Sequence, residues 1–283
     1  MWLFFAAGSA FFAGITAVLS KCGARRTDSD VATAVRTAVV LACAWAMVWI
    51  TGAPLGPVPA GAWLFLVLSG LSTGASWVCY FRALARGDVS RVAPVDKCST
   101  GLTVVLAFLL LGEPVTLWKL AGLVCVTVGA VVMAYRPGAP KGPAGGSWLM
   151  WAVLSAVFAS LTSIFGKVGM AGVDSNLGTA LRTAVVLVFA WTLVLVRGKG
   201  KLVRAIPPGE GRFLVLSGLS TGASWLCYYK ALQSGPASVV APVDQLSILV
   251  TTAVSAAVLH EPVTRRTAAG LVCLLAGVLC MLI

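Results

Sequence analysis

Two carboxylates stand in nearly identical surroundings at two places in the chain, and both fall within apolar stretches. Asp96 lies in the sequence APVDK, and Asp244 lies in APVDQ. Each follows a proline, which removes one helical hydrogen bond and loosens the turn around the carboxylate. If these stretches cross a membrane, an ionised side chain near the centre costs about 2.5–3.5 kcal/mol on insertion scales. We therefore predict that both carboxylates bind a substrate or a proton.

A polar stripe extends from each carboxylate into the apolar sequence that follows. It consists of hydroxyl side chains at helical spacing: Ser99, Thr100 and Thr103 after Asp96, and Ser247, Thr251 and Ser255 after Asp244. A structural alternative is that each helix begins at its proline, Pro94 or Pro242, so that the carboxylate stabilises the helix N-terminus. The sequence leaves both interpretations open.

Two arginines occupy equivalent places about two turns into other apolar stretches. Arg36 and Arg182 are each flanked by threonines on one helical face. They could bind substrate, pair with Asp96 or Asp244, or extend their charged ends to the membrane surface. We include both in the predicted site.

The remaining charged residues within or beside apolar stretches have several interpretations. Lys97 breaks the symmetry, since Gln245 stands in its place in the second stretch, and it could bind an anionic group or reach the interface. Interface anchoring or a helix-end position accounts for the others: Lys21 and Lys167 as anchors, Glu113 and Glu261 before prolines as helix-end residues.

Aromatic residues form a third candidate feature. Helical spacing places a hydroxyl and two rings on one face: Thr73, Trp77 and Tyr80 in one stretch, and Thr221, Trp225 and Tyr228 in another. Such a wall could stack against an organic or cationic ligand. It could equally serve to pack helices together.

Other chemistry is not indicated. His260 is the one histidine, the eight cysteines include no Cys-x-x-Cys pair, and phosphate-binding or nucleophile motifs are missing. We expect neither a metal site nor a cofactor, and no enzymatic activity. The net charge of +12 comes mostly from loop residues, so we also expect no binding to nucleic acid.

The elements that carry these residues are predicted to be membrane-spanning helices. Hydrophobic residues make up 59% of the chain and charged residues 11%, whereas soluble domains carry about 25% charged residues. A helix needs roughly 20 apolar residues to cross a bilayer. Ten segments qualify: 2–20, 30–51, 61–81, 89–112, 116–135, 148–166, 176–196, 212–229, 237–259 and 265–283. The fold class is an all-α integral membrane protein.

The ten segments are predicted to be two copies of one five-helix unit. The decapeptide LSGLSTGASW occurs unchanged at 68–77 and 216–225, and residues 67–96 match 215–244 at all but eight positions. Earlier parts of the copies match at an offset of 146 residues and later parts at 148. The predicted division is 1–136 for the first repeat, 137–147 for a connecting loop and 148–283 for the second repeat.

An odd number of crossings inverts the second copy relative to the first, as in many secondary transporters. The charges agree, because loop 51–60 has no charge whereas its counterpart 197–211 is rich in Lys and Arg. Loops after helices 1, 3, 5, 7 and 9 carry about fifteen basic residues and the other loops about three. Basic loops face the cytoplasm, so we predict that both termini face outward.

The repeat sequences resemble the EamA domain of the drug/metabolite transporter superfamily, and most nearly its bacterial and archaeal branch with single five-helix units. The stretches that carry the resemblance are STGASWVCYFRAL with RVAPVDK, STGASWLCYYKAL with VVAPVDQ, and SNLGTALRTAVV. The resemblance implies a ten-helix bundle around a central cavity that works by alternating access. Members of the family move amino acids, other metabolites, drugs or lipid-linked sugars.

We therefore predict a secondary transporter of a small metabolite or drug-like solute in the cytoplasmic membrane. Its partners would be a small-molecule substrate and the lipid bilayer, and it would act as a monomer or a homodimer. Two alternatives are a flippase for a lipid-linked substrate and a membrane scaffold or accessory subunit that transports nothing. A scaffold would pair off its polar stripes and leave no cavity.

Overall fold

The computed structural model describes residues 1–23, 26–86, 89–134, 147–259 and 264–283, and these residues contain helices and no strands. The helices are α1 (Trp2–Gly23), α2 (Ser29–Ile50), α3 (Ala60–Leu84), α4 (Val89–Leu111), α5 (Leu117–Ala134), α6 (Ser147–Gly169), α7 (Ser175–Val196), α8 (Pro208–Ser234), α9 (Ala237–Asp244), α10 (Ser247–Leu259) and α11 (Arg265–Met281). A short 3₁₀ helix, Lys199–Ala205, follows α7. The predicted all-α fold class is confirmed.

Six helical stretches within the described ranges are long and apolar enough to cross a membrane by themselves. They lie in α1, α2, α3, α6 and α7 and in the combined stretch Ala237–Val258. Two shorter apolar stretches, Cys98–Leu111 and Leu117–Met133, belong to α4 and α5. The protein is thus a multi-pass membrane protein, and the full set of ten crossings stays a prediction.

The predicted ninth helix is broken directly after its carboxylate. The helix α9 ends at Asp244, and α10 begins at Ser247. The alternative that these helices begin at their prolines is wrong, because α4 begins at Val89 and α9 at Ala237, each five residues before its proline. The start of α9 is fixed by Pro236 in extended conformation and by a remote carboxylate that accepts hydrogen bonds from its first amides.

The two copies pack against each other through antiparallel helices. The pairs are α1 with α8, α3 with α6, α2 with α7 and α5 with α11. In the first pair, Ser9 meets Ser224 and Ser20 meets Ser217, so the residue numbers rise along one helix and fall along the other. This is the arrangement expected of two copies with opposite orientations.

Glycines of the repeated decapeptide allow the copies to approach closely. A Cβ atom on Gly70 would lie 2.9 Å from the backbone oxygen of Arg182 in α7, and one on Gly218 would lie 3.0 Å from that of Arg36 in α2. Gly74 and Gly222 face α7 and α2 in the same way. The decapeptide therefore occurs twice because each copy of it packs against the other repeat.

Basic residues collect at one end of the bundle, which we call the basic end. They include Arg26, Arg197, Lys199, Lys201, Arg204 and Arg212. There Asp30 accepts hydrogen bonds from Arg197 Nη1 at 2.8 Å and Lys199 Nζ at 2.6 Å. At the opposite end, the equivalent contact between α2 and α7 is neutral, with Asn176 Nδ2 donating to Thr51 Oγ1 at 3.2 Å. The symmetry of the apolar helices thus does not extend to their ends.

Candidate functional site

A cavity of about 300 Å³ lies between the two copies, near the middle of the helices. Its wall contains residues from both repeats, including Trp77 of α3, Thr162 of α6 and Trp225 of α8. Hydroxyl groups and aromatic rings dominate the described part of this wall, to which two charged residues, Arg182 and Asp244, also belong. The cavity can therefore hold a small organic molecule by hydrogen bonds and ring contacts.

Asp244 is held in the cavity wall by the opposite repeat. Its Oδ1 accepts a hydrogen bond from Ser9 Oγ of α1 at 2.6 Å. Ser9 Oγ lies 3.3 Å from Ser224 Oγ, and Ser224 Oγ in turn donates to the backbone oxygen of Ser9 at 3.2 Å. The carboxylate at the break between α9 and α10 is thus tied to the packed interface of α1 and α8.

The same motif is built around Asp96. Its Oδ1 accepts from Ser155 Oγ of α6 at 3.0 Å, and Ser155 Oγ lies 3.3 Å from Ser76 Oγ of α3. Unlike Asp244, Asp96 does not belong to the cavity wall. Two serines, Ser9 and Ser155, hold the carboxylates, and they were not identified from the sequence as site residues. The signal that could have identified them is that they are equivalent in the two repeats, at an offset of 146 residues.

Arg182 is a buried cation in the cavity wall, with 1% of its surface exposed. Its Nε donates to Ser69 Oγ at 3.2 Å, and its Nη2 donates to Thr73 Oγ1 at 2.7 Å. The guanidinium carbon lies 4.9 Å from the Trp225 ring centroid and 4.4 Å from that of Tyr229. Its Nη1 has no hydrogen-bond acceptor within the ranges that the structure describes.

Arg36, the equivalent of Arg182, has different surroundings. Its Nη1 donates to Ser20 Oγ at 3.0 Å, and it lines a separate cavity of about 200 Å³ with Ser29 and Phe81. The suggested pairing of the arginines with the two aspartates is wrong for the described part of the chain, because the bonded partners of both arginines are hydroxyl groups.

The aromatic residues of the predicted site divide between the cavity and the protein interior. Trp77, Trp225 and Tyr228 line the cavity, and Tyr228 Oη lies 2.9 Å from Ser163 Oγ. Tyr80 instead packs on a small apolar cluster that contains Ala83. Sequence reasoning missed Tyr229, which follows Tyr228 and stacks on Arg182.

The position that differs between the repeats, Lys97 in one and Gln245 in the other, can be described in one repeat. Gln245 lines the cavity, and its Nε2 donates to Thr100 Oγ1 at 2.6 Å. The side chain of Lys97 lies outside the described residues. This contact links the break after α9 to the polar stripe of α4.

The two polar stripes also point to different places. Ser99, Thr100 and Thr103, which share one helical face, line the cavity. In the second repeat, Thr251 Oγ1 instead bonds the backbone oxygens of Ser247 and Gly14, so this stripe packs against α1. The cavity is therefore built asymmetrically from symmetric sequences.

Glu113 joins the repeats at the end opposite to the basic end. Its carboxylate accepts from Lys167 Nζ at 3.0 Å and from the backbone amides of Ala237 at 2.6 Å and Ser238 at 2.9 Å. Burial raises the pKa of this carboxyl, but the bonds from Ser238 and Lys167 outweigh burial and lower it. Glu113, which the sequence predicted to be a helix-end residue, thus forms a clamp between α4, α6 and α9. Its equivalent, Glu261, lies outside the described residues.

Comparisons with known proteins agree with this architecture. Residues 1–135 and 146–283 each match the EamA-like transporter family. The chain is 46% identical over 135 residues to "Uncharacterized transporter in cobO 3'region" of Sinorhizobium sp., an alignment that covers 47% of this chain and 96% of the relative. It is 32% identical over 108 residues to "Protein PecM" of Dickeya dadantii, covering 38% of this chain and 36% of that protein.

The fold also matches a solved crystal structure over 100% of this chain and 98% of the other, with a TM-score of 0.82 and 17% identity. At that identity the likeness concerns the fold alone. The Sinorhizobium relative has about the length of one repeat, since nearly all of it aligns with half of this chain.

Proposed function

Because the chain belongs to the EamA-like transporter family, it is a membrane transporter, and we propose that it moves a small organic solute across the cytoplasmic membrane by alternating access. A relative of nearly single-repeat length is named a transporter, which supports the class. The chain has no motif for ATP binding, so the energy would come from a gradient of an ion or of the substrate.

The observation that carries this proposal is the polar cavity between the repeats. Helices of both repeats contribute to its wall, and Arg182 and Asp244 face it from different helices of the second repeat. A scaffold would pair off its polar groups, whereas this cavity leaves about 300 Å³ beside hydroxyls and two charged side chains. A site at the interface of two repeats is the place where rocking of one repeat exposes a solute to either side.

In the proposed cycle the Glu113 clamp closes one end of the cavity. The clamp connects the end of α4 in the first repeat to Lys167 and to the first turn of α9 in the second. Release of Glu113 would free α9, and with it Asp244 at the other end of this short helix.

The aspartates are the proposed proton sites. Asp244 and Asp96 each accept a hydrogen bond from a serine of the opposite repeat. Protonation would remove the negative charge and weaken this bond across the interface, since hydrogen bonds to charged groups are roughly twice as strong as neutral ones. The two repeats could then move relative to each other.

The alternating access is tested by cysteine labelling in membrane vesicles. In a variant whose eight native cysteines are replaced, Ala159→Cys places a thiol in the cavity wall. The control is Ala107→Cys, which is 0% exposed and buried in the apolar core. We expect a membrane-impermeant thiosulfonate to reach Cys at 159 from either side and to leave the control unlabelled. Labelling from one side under every condition would exclude alternating access.

Proton coupling has its own test. Asp96→Asn and Asp244→Asn keep the shape of the side chain and cannot carry the charge. In proteoliposomes, either variant should lose the dependence of solute uptake on a pH gradient. Normal uptake with unchanged pH dependence in both variants would exclude the aspartates as proton sites.

A further inference from the structure

We infer that Arg182 docks an anionic group of the substrate, so that the transported solute is a small carboxylate, zwitterions included. This inference rests on the proposed transport function, and it assigns the solute its class. It is carried by three features of Arg182: its burial without a bonded anion, its fixed orientation with one unpartnered donor, and its difference from Arg36.

The first feature is a buried cation without an anion. Arg182 is 1% exposed, and among the described residues its bonded partners are the neutral side chains Ser69 and Thr73. Two aromatic rings, of Trp225 and Tyr229, offset part of the lost hydration. Buried charges in proteins are normally paired, but Arg182 has no bonded anion among the described residues, although Asp244 lines the same cavity.

The second feature is the orientation of the guanidinium. Hydrogen bonds fix Nε and Nη2, and the ring contacts hold the plane of the group. Nη1 is the nitrogen without an acceptor in the described structure, and its residue lines the cavity. A guanidinium held in this way loses little entropy on binding, and its planar donors suit the geometry of a carboxylate or a phosphate.

The third feature is the contrast with the equivalent residue of the first repeat. Arg36 Nη1 is satisfied by Ser20 Oγ, and Arg36 belongs to a different cavity. A purely structural role shared by both arginines would leave both nitrogens in the same state. The unpartnered donor thus distinguishes Arg182, which lines the central cavity, from its equivalent Arg36 in the other repeat.

The size and the other walls of the cavity narrow the class. A volume of about 300 Å³ admits a molecule of the size of a small aromatic or aliphatic acid. Trp77 and Trp225 offer ring faces, and hydroxyls such as those of Thr100 and Ser163 offer further hydrogen bonds. Asp244 faces the same cavity, so an ammonium group on the same solute can be accommodated.

The first test uses the wild-type protein and pairs of ligands that differ in charge. Purified protein in detergent is titrated with benzoate and benzamide, with phenylalanine and phenylalaninamide, and with inorganic phosphate, and thermal unfolding is followed. We expect at least one carboxylate to raise the unfolding temperature while its amide does not. Stabilisation by phosphate and by neither carboxylate, or by the amides as well as the acids, would overturn the assignment of carboxylate as the substrate group.

The second test uses matched arginine variants. Arg182→Gln should weaken carboxylate binding about 10- to 100-fold, as expected when a hydrogen bond to a charged group is lost, and Arg182→Lys should restore part of the affinity. Arg36→Gln is the control and should bind carboxylate as the wild type does. Loss in both arginine variants, or in neither, would contradict a role specific to Arg182.

The two proposals fail in different ways. If labelling at position 159 alternates between sides but only amides or amines stabilise the protein, the function stands and the Arg182 assignment is wrong. If carboxylates bind but labelling never alternates, the site stands and transport by alternating access is wrong. The Arg182→Lys variant and the wild-type titrations keep the test decisive if Arg182→Gln does not fold.

Discussion

Substitution of Gly218 by alanine should destabilise the protein, whereas the same change at Gly209 in the same helix should not. A Cβ on Gly218 would lie 2.6 Å from Val39 Cβ and 3.0 Å from the backbone oxygen of Arg36. A Cβ on Gly209, by contrast, would meet no atom within 4 Å. The pair separates the effect of helix contact from the intrinsic effect of alanine in a helix.

The magnitude follows from these distances. Carbon atoms rest about 3.5–4.0 Å apart, so α8 must move roughly 1 Å away from α2, and overpacking of this kind costs about 1–3 kcal/mol. Alanine in place of helical glycine returns about 0.5–1 kcal/mol. Gly218→Ala should therefore be less stable than Gly209→Ala by about 1–3 kcal/mol.

Thermal unfolding of the purified proteins, followed by tryptophan fluorescence, measures this difference. Each kcal/mol corresponds to about 2–4 °C for chains of comparable size, so the two variants should unfold several degrees apart. Gly70→Ala and Gly61→Ala form an equivalent pair in α3, since a Cβ at Gly61 also meets no atom within 4 Å. Equal unfolding temperatures within both pairs would refute the close packing of the decapeptide on the opposite repeat.

Three further changes test individual contacts by thermal unfolding. Glu113→Gln should lower the free energy of unfolding by about 1.5–3 kcal/mol. Because the pKa of this carboxyl is lowered in the folded protein, the full loss of stability should be seen above the ordinary glutamate pKa, and it should vanish as the pH falls through the pKa of the folded state. A loss of stability that does not depend on pH would contradict the clamp. Lys199→Ala should cost about 0.5–1 kcal/mol, less in high salt, because Asp30 keeps a second cation; an undiminished loss in 1 M salt would speak against an ionic contact. Ser9→Ala should cost about 1.5–3 kcal/mol through its bond to Asp244, and unchanged stability would show that this bond is not formed.

The fold could be predicted from the sequence to the extent that it depends on local patterns. Apolar periodicity predicted the helices. The glycine spacing of the decapeptide predicted that helices approach each other closely, and the structure shows this close approach at Gly70 and Gly218. The predicted segment 237–259 begins where α9 begins, at Ala237. The break after Asp244 was missed, because Gln245 at the break donates to Thr100, which is remote in sequence. A pattern read along one segment does not contain such a contact.

The candidate site was predicted in part. Asp244, Arg182, Trp77, Trp225 and Tyr228 line one cavity, as their types and spacing suggested. Not all of the equivalent residues in the other repeat line this cavity. Because the two repeats have matching sequences, the sequence does not show which copy of a residue faces the cavity in a given conformation. Ser9 was missed as well, because a serine in an apolar helix gives no signal apart from its match in the other repeat.

The inversion of the second repeat is the premise on which the transport cycle depends, and cysteine labelling of equivalent positions tests it most directly. Arg86 and Ser234 are both exposed, and they are equivalent at the offset of 148 residues. With native cysteines replaced, a membrane-impermeant maleimide should label Ser234→Cys in intact spheroplasts and Arg86→Cys only after lysis. Labelling of both variants from the same side of the membrane would contradict the inverted arrangement.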